Sequence, residues 1–103
     1  MSQVLKQIND LSGKIFLGDR LVSSGATDGI EVIEPATEAL LGTIPETTPD
    51  EIDDAVERAN VAQEKWWALS ALDRAHTMHH IADRIHQLRP VLAEALTREM
   101  GKP

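Results

Sequence analysis

The stretch Thr47-Thr48-Pro49-Asp50-Glu51 limits what this chain can fold into more than any other. Thr48 carries the hydroxyl of a helix N-cap. Pro49 suits the first helical position, and Glu51, three residues after the cap, completes a capping box. Asp50, Glu51, Asp53 and Asp54 put negative charge at the positive end of the helix dipole. A helix must begin here, so the 103 residues divide into an extended half and a helical half.

Beyond the cap, Ile52, Ala55, Val56, Ala59 and Ala62 recur at steps of three and four down to Trp66, and predict a helix over 49–67. The alanines allow close approach of a neighbour. Ser70, with Asp73 three residues on, starts a second helix over 71–88, whose face is Leu72, Ala75, His79, Ala82, Ile85 and Leu88. Pro90 opens a third over 90–100, with Val91, Leu92, Ala95, Leu96 and Met100 inward. Gly101 supplies the positive φ of a helix stop, and Pro103 blocks continuation.

The first half is built of short extended pieces. Ile15-Phe16-Leu17 and Leu21-Val22 flank Gly18-Asp19, the signature of a tight hairpin. In Gly29–Pro35, Ile30, Val32 and Glu34 point one way, and Glu31, Ile33 and Pro35 the other. Pro35 closes this strand because proline cannot donate to a ladder. After a turn at Pro35–Ala39, Leu40–Ile44 resumes an extended run. The expected organisation is a lead over residues 1–13, a short β-meander over 14–45 and a three-helix segment over 46–103.

A formal charge of −7 excludes a phosphate-tracking nucleic-acid binder and docking on anionic membrane, both of which need a basic face. No apolar run is long enough for a signal peptide or a bilayer span. A cytoplasmic setting is therefore expected. With no cysteine in the sequence, disulfides, thiolate metal sites and cysteine nucleophiles are all out of reach of this chain.

Candidates for chemistry are few. His76 and His80 stand four apart, a zinc-ligand spacing, but the sequence between them has no glutamate base and no third ligand is evident. Surface histidines account for the pattern better. Trp66 and Trp67 point about 100° apart on a helix, so one is expected in the core and the other over a seam or a partner surface. The acidic run at Asp50–Asp54 reads as a helix N-terminus rather than a cation site. No glycine-rich phosphate loop and no nucleophile elbow is present.

The pieces Val32-Ile33-Glu34-Pro35-Ala36-Thr37, Ile44-Pro45, Ala55–Trp66, Asp73–Ile85 and Thr97–Pro103, in this order and spacing, resemble the N-terminal part of the NAD(P)-dependent aldehyde dehydrogenase superfamily over roughly residues 14–103. Glu34 stands where that family often has asparagine. The resemblance implies an α/β parent fold and, for the parent, oxidation of an aldehyde with NAD or NADP through a cysteine thiohemiacetal. No catalytic or cofactor-binding residue of that scheme falls within this chain, and no cofactor is expected on it alone. The resemblance also implies a structural monovalent cation held by the Val32 and Ile33 carbonyls and the Glu99 carboxylate, with a further carbonyl from outside the chain. The implied partner is the rest of the parent chain. Without it, Ala55, Ala59, Ala62, one tryptophan, Leu92 and Leu96 are expected to stay partly uncovered, favouring self-association. The alternative is a self-standing helical interaction module whose tryptophan surface serves another protein.

Overall fold

The computed structural model describes residues 2–103. Its elements are α1 (Gln3–Leu11), β1 (Lys14–Leu17), β2 (Arg20–Ser23), β3 (Gly29–Ile33), β4 (Leu40–Pro45), α2 (Pro49–Ala68), α3 (Ala71–Gln87) and α4 (Arg89–Met100).

The three expected helices are present, and their ends follow from local chemistry. Thr48 accepts from the Glu51 N–H while the Glu51 side chain accepts from the Thr48 N–H, so both halves of the capping box form. Ser70 accepts from the Asp73 N–H. Gly101 takes φ +71° and closes α4 in the left-handed conformation. Only Leu88 separates α3 from α4, and no side chain caps the start of α4.

The structure adds detail to both halves of the extended region. Within the N-terminal lead, α1 forms over Gln3–Leu11, with the Ser2 hydroxyl accepting from the Leu5 N–H. The short strands make two antiparallel pairs, β1–β2 and β3–β4. The reason lies at the α1–β1 turn. The Gly13 N–H donates to the Thr43 carbonyl at 2.9 Å, and the Thr43 N–H donates to the Ser12 hydroxyl at 2.9 Å. These bonds satisfy Thr43 on β4 without help from another strand.

The β1–β2 pair closes through Gly18-Asp19, with Leu17 opposite Arg20. Gly18 has φ +66°, the sign a type II′ turn asks of its first central residue. In the second pair the register slips between Val32, opposite Gly42, and Ile33, opposite Leu40. Leu41 is thus the unpaired residue of a β-bulge.

Among the described residues only Val4 and Leu41 are buried apolar side chains, each about 5 % exposed. The bulge residue and the unforeseen helix therefore make the core, with α1 packed against β4 and α4. No residue of α2, α3 or α4 is fully buried. Neither tryptophan plugs a core. Trp66 is half-buried, and Trp67 is 71 % exposed beneath the Arg74 guanidinium, 5.1 Å from its ring centre. The cause is that α2 meets the β1–β2 hairpin and little else.

The radius of gyration is 16.7 Å, against about 13 Å for a closed globule of this length. The surface of 8096 Å² exceeds by roughly 2,400 Å² the value of about 5,700 Å² for a compact 11.3 kDa protein. This chain does not close a core around its three long helices.

Candidate functional site

The best-formed concavity is a cleft of about 230 Å³ between α1, the β3–β4 pair and α4. Its wall is mostly apolar, with Ile8 and Leu11 from α1, Val32 from β3, Leu41 and Ile44 from β4, and Ala95 from α4. Glu99 stands on its border. The cleft exists because α1 lies across β4 and because the bulge carries Leu41 inward.

Of the three cation ligands implied by the resemblance, Val32 and Glu99 share this cleft. Ile33 lies past the bulge and is not part of the wall. The polar groups at its Ser12–Thr43 side are committed to one another through the bonds described above. A hard cation asks for about six oxygens, so this chain offers an incomplete shell.

Above the cleft a polar chain joins three elements. The Ser2 hydroxyl donates to Glu94 at 3.1 Å, the Arg98 Nε donates to Glu94 at 2.9 Å, and the Arg98 guanidinium donates to Glu34 at 3.0 Å. Glu34 also accepts from the Thr37 hydroxyl within the turn that ends β3. Sequence reading missed this network, since Ser2, Glu34 and Arg98 meet only through tertiary packing.

A second polar junction forms at Glu51. Beyond its capping role, its carboxylate accepts from the Gly25 N–H and, at 2.8 Å, from the Ser24 hydroxyl, both in the β2–β3 connection. The Gly25 N–H, then the Thr48 N–H, then the Ser24 hydroxyl hold the Glu51 carboxyl below its ordinary pKa.

The remaining candidates do not assemble. His76, His79, His80 and His86 are exposed along α3, and among the described residues no group of three or more histidine or carboxylate side chains is arranged to hold a metal. Gly13 and Gly18 serve turns, Gly101 ends a helix, and Gly29 and Gly42 lie in strands. The first turns of α2 and α3 bear Asp50, Glu51 and Asp73, which repel a pyrophosphate where a binding helix would attract it. Among the described residues no helix is long and apolar enough to cross a membrane.

Comparison with known proteins covers the chain from within β2 onward. Residues 21–103 match the aldehyde dehydrogenase family. The chain is similar, at 33 % identity over 89 residues, to a probable methylmalonate-semialdehyde/malonate-semialdehyde dehydrogenase [acylating], mitochondrial, of Aedes aegypti. That match covers 86 % of this chain and 17 % of the relative. It is similar at 34 % identity over 92 residues to malonate-semialdehyde dehydrogenase 1 of Geobacillus kaustophilus, covering 86 % of this chain and 18 % of that one. The chain thus spans under a fifth of the length of these curated relatives. With most of its length matched, the chain belongs to the aldehyde dehydrogenase family.

Proposed function

We propose that this chain is the N-terminal portion of an NAD(P)-dependent aldehyde dehydrogenase and has no catalytic activity by itself. One observation carries the reading: the family match runs over residues 21–103, while the same chain covers only 17–18 % of its relatives and contains no cysteine. Thiohemiacetal chemistry needs a thiolate, and none is present. The parent would oxidise an aldehyde with NAD or NADP, and the semialdehydes named for the relatives are its first candidate substrates. The uncovered faces of α2, α3 and α4 support the rest of that polypeptide as the partner. Within it, the Val32 and Ile33 carbonyls and the Glu99 carboxylate would contribute to a structural monovalent cation site. The proposed setting is the cytoplasm.

The test is direct. Purified chain is incubated with NAD or NADP and a panel of aldehydes that includes malonate semialdehyde, and nicotinamide absorbance is followed. No reduction is expected, and steady aldehyde-dependent reduction would overturn the proposal. The reading frame after the Pro103 codon is expected to encode a glycine-rich nucleotide site and a cysteine. A stop codon there in an intact genome would favour the self-standing helical module.

A further inference from the structure

We propose that Glu51 is a positioning residue for the polar end of the cleft, acting across the fold through Ser24 and Gly13. The proposal concerns bonds within this chain and does not rest on the enzymatic reading.

A single bond joins the Glu51 junction to the Ser12–Thr43 side of the cleft. The Ser24 N–H donates to the Gly13 carbonyl at 3.2 Å. Ser24 therefore holds Gly13 with its backbone and Glu51 with its hydroxyl, the latter at 2.8 Å. The Gly13 N–H in turn donates to the Thr43 carbonyl, and the neighbouring Ser12 hydroxyl accepts from the Thr43 N–H. A continuous relay thus runs from the cap of α2 through Glu51, Ser24 and Gly13 to Thr43 on β4. Ser12 and Thr43 are polar members of the cleft wall, on which Glu99 also borders.

The links are directional, so a change at one end is felt at the other. One oxygen of the Glu51 carboxylate accepts from the Gly25 N–H, and the other accepts from the Ser24 hydroxyl and the Thr48 N–H. Three donors converge on two oxygens, which a carboxylate has and a side-chain amide lacks. The Ser24 hydroxyl is used twice, because it also accepts from the Ala26 N–H at 3.0 Å. That second bond aims its proton at Glu51. Gly13 has φ +72°, a left-handed turn that suits glycine, and from it the N–H reaches Thr43 while the carbonyl reaches Ser24. Bonds to a charged acceptor are strong, and bonds in a chain strengthen one another. The element with two arrangements is the Ser24–Ala26 connection, seated on both Glu51 and Gly13 or released from both.

Hydrogen exchange of the isotope-labelled chain tests the proposal. It is read by NMR at the amides of Gly13, Ser24 and Thr43, with Leu96 in α4 reporting global opening. Ser24→Ala removes the hydroxyl link and leaves the Thr48–Glu51 capping box intact. It should speed exchange at Gly13 and Thr43 by about three- to tenfold, the size set by one lost hydrogen bond, with Leu96 unchanged. Ser24→Thr keeps the hydroxyl and should restore the parent rates. Glu51→Gln should speed the same amides, and the double variant should be no faster than the faster single one, because both changes cut one relay. Faster exchange confined to Ser24 and Gly25, with Gly13 and Thr43 at parent rates, overturns the proposal. An equal rise at Leu96 overturns it as well, since that marks only a loss of overall stability. Additive effects in the double variant do the same.

Discussion

Arg98 reaches Glu34 across 64 residues of sequence, at 3.0 Å, and ties the last turn of α4 to the turn that ends β3. The pair is 26 % and 13 % exposed, and the same guanidinium holds Glu94, which in turn accepts from Ser2 at the cap of α1. Arg20 and Asp19 also form an ion pair, but both are exposed neighbours in a hairpin turn. Exposed pairs contribute little, whereas removing one member of a shielded network strands the others. Arg98→Met should therefore lower the midpoint of thermal unfolding clearly, and Arg20→Met should leave it nearly unchanged. Circular dichroism melts of both variants decide it, and equal effects would refute the network's role.

Glu51 makes stability depend on pH. Its folded-state pKa lies below the usual 4.5 because the Gly25 N–H, the Thr48 N–H and the Ser24 hydroxyl favour the carboxylate. The stabilisation is therefore fully present above 4.5 and is lost as pH falls through the depressed folded value. Glu51→Gln should flatten this acid limb of the stability profile. The Gly25 amide should exchange faster in the variant than in the parent chain, as read by NMR-detected hydrogen exchange.

Thr48→Ala removes the side-chain half of the capping box and should cost about 1 kcal/mol. Chemical denaturation monitored at 222 nm (a general helix probe) measures it. Thr48→Ser, which keeps the hydroxyl, should restore most of the loss.

Zinc should bind weakly. His76 and His80 are exposed on one helix, and no third ligand joins them among the described residues. Calorimetric titration of the chain with zinc should show no stoichiometric high-affinity site. A tight one-to-one isotherm would show that the chain can gather ligands its fold does not bring together.

How far the fold can be read from sequence depends on how local each determinant is. The starts of α2 and α3 are legible because Thr48 with Glu51, and Ser70 with Asp73, lie within one turn of each other. The Gly18-Asp19 hairpin is legible for the same reason. Helix α1 left a weaker trace: Val4, Ile8 and Leu11 at helical spacing after Ser2 and before Gly13. A reading that asks of this stretch only whether it is a leader passes over that pattern. The Ser2–Glu94–Arg98–Glu34 network and the Ser12–Thr43 bonds have no local signature at all, since each joins residues brought together only when α1 packs between β4 and α4. The cleft bordered by Glu99 depends on the same packing.

The bulge at Leu41 makes β4 a strand in which counting matters. Side chains on the two sides of Leu41 are out of phase with one another, and the buried leucine is itself the residue that breaks the phase. A one-residue deletion in the Pro35–Ala39 turn would disturb the Glu34–Thr37 bond and the turn's own backbone bonds, but would leave Leu41 in place. The same deletion at Leu40 or Leu41 would straighten the ladder and empty half of the small core in a single step. In any lineage carrying this segment, the length of β4 from residue 40 onward should therefore be held fixed.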